Sequence, residues 1–173
     1  MSNKIKMNLL ANLKEIKNYF LKKENIYYFV LIIVIFLLDR YSKFIVINNF
    51  SERTHYINKY INLDLIWNIG IGFGFLSTDS SIFYNLITVI IGIVIIFLLC
   101  VFAQSKKIDK FIYSIIIGGA LGNFFDRLVY KAVPDFIDIH YNNFHWFTFN
   151  VADIFITIGI LIFIFKEFIY KKL

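Results

Sequence analysis

Four aspartates stand where a carboxylate is either costly or poised to react. Asp39 interrupts the apolar run IYYFVLIIVIFLLDRYSKFIVI, Asp126 comes near the end of GGALGNFFDR, Asp153 heads FNVADIFITIGILIFIF, and Asp135 lies in the connecting stretch VPDFIDIH. An ionisable group inside an apolar segment is costly, so each needs a partner or a task. Lys43 follows Asp39 by four residues, which puts both on one helical face. Asn123, Asp126 and Arg127 are near neighbours on a helix surface, as are Asn150 and Asp153. Asp39 with Lys43, and Asp126 with Arg127, read as charge-neutralised pairs that support a site. Asp135 and Asp153 are the candidates for a facing carboxylate pair. Two close carboxylates cannot both ionise cheaply, so such a pair shares one proton. One member acts as base on a water while the other protonates the carbonyl oxygen or the leaving group. The chemistry is general acid–base hydrolysis without a covalent intermediate.

Other chemistries find less support. Ser42 and Ser114 have no histidine at a suggestive position, which argues against a Ser/His hydrolase. His140 and His145 with Asp138 offer metal-ligating atoms, but their spacing matches no recognised ligand pattern, and they read as solvated loop residues. The stretch GFGF after Asn68 is not followed by Lys-Ser/Thr, so no phosphate-binding loop is implied. The one cysteine, Cys100, lies within an apolar run and permits no intrachain disulfide. Neither a metal nor a cofactor is expected.

The elements that position these groups follow from composition. Of 173 residues, 59% are hydrophobic and only 17% charged, more apolar surface than a soluble domain of this length can bury. A span needs ~20 mostly apolar residues. Four segments qualify: Ile26 to Ile47, Ile82 to Ala103, Phe111 to about Val129, and about Val151 to Ile169. Residues 1–25 read as a cytoplasmic amphipathic segment and 26–173 as a four-helix membrane domain. The net charge of +6 is concentrated beside the apolar runs, at Lys4 to Lys23, Lys106 to Lys110 and Lys166 to Lys172. That clustering follows the positive-inside rule and reports topology, not a nucleic-acid partner. With the lysines inside, both termini are cytoplasmic. Asp39 and Lys43, then Asn123, Asp126 and Arg127, then Asn150 and Asp153, all fall near the outer leaflet. Asn68 and Gly70 precede the second span on the same side.

In order along the chain, DRYSK (Asp39 to Lys43), NIGIGF (Asn68 to Phe73), GGALGNFFDR (Gly118 to Arg127), VPDF (Val133 to Phe136) and FNVAD (Phe149 to Asp153) resemble the lipoprotein signal peptidases (signal peptidase II), bacterial inner-membrane aspartyl proteases. The resemblance implies an all-α membrane protein of four transmembrane helices with a small extracytoplasmic β-cradle and a short periplasmic helix. By motif position, Asp135 and Asp153 correspond to the catalytic dyad. Asp39, Lys43, Asn68, Gly70, Asn123, Asp126, Arg127 and Asn150 match positions that support the dyad or line the substrate site. The implied reaction cuts a prolipoprotein just before its diacylglyceryl-modified cysteine. The implied partners are that substrate, membrane lipids and a cyclic-peptide inhibitor of the globomycin type. Two positions depart from the pattern: Lys131 replaces a usual Gly, and Ile71-Gly72 replaces a small Ala-containing step. The rival class is a small polar-lined transporter or proton channel, which would spread its polar residues through the membrane depth.

Overall fold

The computed structural model describes residues 23–50, 53–70, 81–142 and 144–170. The amphipathic segment expected over residues 1–25 lies almost wholly outside them, as do Ile71 and Gly72. Four long helices run through the molecule: α1 (Lys23–Asn49), α2 (Ser81–Gln104), α3 (Lys107–Val129) and α4 (Val151–Tyr170). Each coincides with one of the expected apolar segments. The main boundary difference is at α3, which starts at Lys107, not Phe111, because the polar turn KIDK is already helical. Asp109 in that first turn complements the helix dipole. Two helices, Ile82–Gln104 and Lys107–Val129, are long and apolar enough to cross a membrane. Of the other two, α1 is interrupted by Asp39, Arg40 and Lys43, and α4 carries Asp153, Lys166 and Glu167.

Helix α3 is central, packed against α1, α2 and α4. Its small residues make this possible, since close backbone approach needs short side chains at the crossing. A methyl group at Gly119 would stand 2.6 Å from the Ala152 carbonyl oxygen, and one at Gly122 would collide with the Asp39 carboxylate. Two neighbours therefore approach α3 where the charged residues are. The opposite surfaces stay apolar and exposed, with Leu86, Val89, Ile93 and Phe97 on α2 and Leu161, Phe165 and Phe168 on α4. At the other end of the bundle, Lys166 pairs with Asp109, and Lys110 Nζ donates to Asn25 Oδ1 at 2.8 Å.

Strands β1 (His55–Asn58), β2 (Ile61–Asn68), β3 (Val133–Tyr141) and β4 (Phe144–Phe149) form one antiparallel sheet in the order β1-β2-β3-β4. This is the small sheet the resemblance implied; no short helix beyond the four occurs among the described residues. The register pairs Asn68 with Val133 and Ile66 with Asp135, with a slip between Leu63 and Ile66. Strand β3 is buried from Val133 to Phe136 because it touches α1 and α3 as well as its sheet neighbours. The chain leaves α3 through Tyr130, whose N–H donates to the Asp126 carbonyl at 2.7 Å, and turns at Lys131 with φ 57. That left-handed conformation favours glycine, which is the residue usual at this position in the resembled family.

Candidate active site

Lys43 sits at the centre of the polar layer. Its ammonium is almost wholly buried and donates to Asp39 Oδ2 at 3.0 Å, Asn123 Oδ1 at 2.8 Å and Asp126 Oδ2 at 2.6 Å. All three of its donors are thereby used. Arg40 forms a second bridge across the same two acids, to Asp39 Oδ2 at 2.9 Å and to Asp126 Oδ1. Asp39 and Asp126, both 0% exposed, are thus each held by two cations. The remaining Asp39 oxygen accepts the Ala152 N–H at 3.0 Å, which ties α1 to the first turn of α4.

Asp135 and Asp153 are held differently. Asp135 accepts from Asn68 Nδ2 at 2.8 Å and Asn150 Nδ2 at 2.5 Å. Asp153 accepts from Asn123 Nδ2 at 2.7 Å and from the Asn150 N–H at 3.2 Å, while its own N–H donates to Asn150 Oδ1 at 3.1 Å. Asn150 is therefore both the N-cap of α4, reciprocally bonded to the third helical residue, and a bridge between the two acids. The three amides share one arrangement. Each carbonyl oxygen accepts a fixed donor: the Gly70 N–H at 2.8 Å for Asn68, Lys43 Nζ for Asn123, the Asp153 N–H for Asn150. That leaves each NH2 group aimed at Asp135 or Asp153.

Asp135 is buried on β3, and burial pushes its carboxyl up from the ordinary value of 3.8 to about 6. The neighbouring Asp153 charge pushes the same way, against the amide hydrogen bonds and Lys43. A carboxyl so placed retains a proton to higher pH than a free one, as a proton-sharing pair requires.

All ten residues singled out from the sequence fall in this layer or against it, with one regrouping. Arg127 does not pair with Asp126. The Asp126 carboxylate faces α1 and is taken by Lys43 and Arg40, whereas the Arg127 guanidinium turns the other way, donates to the Gly70 carbonyl and lies 5.5 Å from the Tyr84 ring. Adjacent helical residues point about 100° apart, so an adjacent Asp-Arg is a poor pair on geometry alone. Arg40 was given no role from the sequence, although it stands inside DRYSK as the third ionisable group of an apolar helix. The reading of Asp138, His140 and His145 as solvated loop residues also changes: all three are strand residues, and His145 alone stays exposed. They lie on β3 and β4, and Asp138 and His140 are buried.

A family model described as signal peptidase (SPase) II matches residues 31–169. A lipoprotein signal peptidase of Pelagibacter ubique (strain HTCC1062) is 44% identical over 160 residues, covering 91% of this chain and 93% of that protein. Another, from Francisella tularensis subsp. novicida (strain U112), is 39% identical over 151 residues, with 84% and 93% covered. A solved bacterial membrane enzyme aligns with a TM-score of 0.68 at 27% identity, covering 82% of this chain and 87% of that one.

Proposed function

This chain belongs to the signal peptidase II family and acts as an aspartic protease on lipoprotein signal peptides; from that premise we propose that Asp135 and Asp153 are its catalytic pair. The observation that carries the assignment is Asn150, whose side-chain amide donates to the Asp135 carboxylate while its backbone N–H donates to the Asp153 carboxylate. No lysine or arginine pairs with either acid among the described residues, so nothing fixes their shared proton on one site.

With that proton on Asp135, the Asp153 carboxylate takes a proton from water as its oxygen attacks the scissile carbonyl carbon. Asp135 donates its proton to the carbonyl oxygen. As the tetrahedral intermediate collapses, the C–N bond breaks and the departing amine takes the proton gathered by Asp153, while Asp135 recovers its own. The pair titrates as a unit through this cycle. The substrate bond is the one just before the diacylglyceryl-modified cysteine. The acyl chains lie along an apolar groove of about 340 Å³ between α1 and α3, lined by Ile33, Phe36, Phe125 and Leu128 among others. Phe125 also touches the polar layer, since Arg40 lies 5.0 Å from its ring centroid. A globomycin-type cyclic peptide would occupy the same mouth.

The same proposal sets the molecule in the bacterial cytoplasmic membrane as one four-helix domain over residues 26–173, with all four helices spanning and both termini inside. Lysine clustering supports the orientation. Exposed Trp67, Tyr130 and Trp146 on and beside the sheet suit the lipid headgroup level at the outer face. A transporter or proton channel would need ionisable groups through the depth of the bundle, and the family membership speaks for a peptidase.

The test is cleavage of a diacylglyceryl-modified prolipoprotein peptide in heavy-oxygen water. One heavy oxygen should enter the new carboxylate of the released signal peptide, and no acyl-enzyme should be trappable by hydroxylamine. Trapping an acyl-enzyme would overturn the direct water attack.

A further inference from the structure

We propose that Asp138, His140 and His145 form a binding site for a divalent cation of the zinc class on the sheet, separate from the catalytic layer. Strand geometry builds the site. Asp138 and His140 are two residues apart on β3 and so project from the same face. His145 is the cross-strand partner of His140 on β4, and the two imidazoles stack with centroids 5.4 Å apart. One potential ligand atom from each of the three residues lies within 4.8 Å of the others. His145 Nδ1 is 2.7 Å and His140 Nδ1 3.6 Å from the same Asp138 oxygen. Ligand atoms around tetrahedral zinc, bonded at about 2.0–2.1 Å, stand roughly 3.3 Å apart, and the two distances straddle that spacing.

A second observation points to a ligand. The His145–Asp138 hydrogen bond satisfies His145 alone. His140 is over nine-tenths buried, and its Nδ1, directed at the same carboxylate, has no hydrogen-bond partner among the described residues. Asn62, paired across the sheet with Asp138, donates to Asp138 Oδ2 at 3.4 Å and has a carbonyl oxygen that is also buried without a partner. A buried imidazole nitrogen left unmatched is unfavourable. A cation between the two Nδ1 atoms and the carboxylate gives it a partner; the His145 proton leaves Nδ1 for Nε2, and both rings then carry their proton on Nε2. Two imidazoles and one carboxylate suit zinc, not magnesium or calcium, which prefer all-oxygen shells. The fourth ligand is water. The ion pins β4 to β3, the strand that carries Asp135 three residues before Asp138.

The three residues stand out in the sequence but match no ligand spacing there, because they are joined by strand pairing and not by a short motif. The experiment is zinc titration of untagged, full-length, chelator-treated protein in detergent, followed by calorimetry and melting temperature. Saturable uptake of one Zn2+ per chain with a raised melting temperature is expected, and no such rise with Mg2+. His145→Ala, at a side chain 57% exposed, should fold normally. It should lose more than the ~10–100-fold in affinity that removing an outer-shell partner typically produces. His140→Ala should lose as much, and Asp135→Asn should bind zinc normally. No saturable uptake, uptake undiminished in His145→Ala, or uptake abolished by Asp135→Asn would each overturn the site.

Discussion

Two pairs of aspartates share one polar layer and are treated in opposite ways. Asp39 and Asp126 are each gripped by two cations, Lys43 and Arg40, at full burial. Asp135 and Asp153 receive only amide and backbone N–H donors, from Asn68, Asn123 and Asn150. An amide orients a carboxylate without supplying charge, so it fixes geometry and leaves the proton free to move. A cation fixes both. The first pair therefore reads as a scaffold fixed by charge, and the second, under the proposed assignment, as the reactive pair held by neutral donors. Asn123 joins the two, because it accepts from Lys43 and donates to Asp153. Through Asn123 the cation-bound pair thus helps to set the position of the Asp153 carboxylate.

The largest effect tests the reactive half. Asp135→Asn and Asp153→Asn should each lower peptide cleavage by at least about 10³-fold, since general acid–base groups contribute ~10²–10⁴ and the two act together. The double variant should lose little beyond either single change, as groups acting as a unit are non-additive. Both single variants should stay folded and inserted. Appreciable turnover in either purified variant would move the chemistry elsewhere.

The scaffold half should break differently. Asp126→Ala removes a buried acid from between two cations and leaves Lys43 and Arg40 with Asp39 as their one shared carboxylate. Removing one partner of a buried ion pair typically costs about 3–5 kcal/mol, against ~0–1 for an exposed pair. Full burial places this case near the higher figure, as a large fall in thermal stability in detergent with activity lost alongside. A silent Asp126→Ala would mean that the layer is wet and the distinction between the halves is false.

Titration sharpens the comparison further. Asp135 is raised from 3.8 to about 6, so between those values the folded protein binds more protons than the unfolded chain. Stability at this site is therefore complete below pH 3.8, falls as pH rises through the window, and reaches its full loss above about 6. That rise corresponds to about 3 kcal/mol for the site taken alone. Replacing Asp135 by Asn removes the ionisable group, so between pH 4 and pH 7 the variant should gain stability relative to the parent by about 2–3 kcal/mol. Thermal melts of both proteins at the two pH values check it. An unchanged difference would place Asp135 in a solvated setting.

How much of this was legible in the sequence depended on the range of the interaction. The four helices were readable because a long apolar run constrains every residue in it. The convergence of Asp39, Lys43, Asn123, Asp126, Asn150 and Asp153 followed from helix direction alone. Their pairing did not. Asp126 had Arg127 beside it in the chain, but helix rotation turned Arg127 towards Gly70 and left Asp126 to two cations more than eighty residues away. The sheet was less readable from periodicity, because β3 is wedged against helices and buried on consecutive positions where alternation would have marked a strand. His140 and His145 read as loop residues for a different reason. Their meeting depends on a cross-strand register that no local spacing records.

The smallest expected effect concerns the turn that delivers Asp135. Lys131 has φ 57, a conformation that costs a non-glycine residue about 1–2 kcal/mol. Asp135 follows four residues later on β3, with Ala132, Val133 and Pro134 buried between them. Packing over that stretch, together with the Tyr130 N–H bond to Asp126, holds the turn in place against the strain. Lys131→Gly relieves the strain but adds freedom to the unfolded chain, an opposing term of about 0.5–1 kcal/mol. The net result should be a gain under about 1 kcal/mol with cleavage unchanged or slightly faster. Lys131→Val should do the reverse and by more, since a β-branched residue tolerates positive φ poorly. Melting temperatures and cleavage rates of the two variants decide it. Equal stability for Gly and Val would show that residue 131 relaxes out of the left-handed region, and the position of Asp135 would then rest on its amide partners alone.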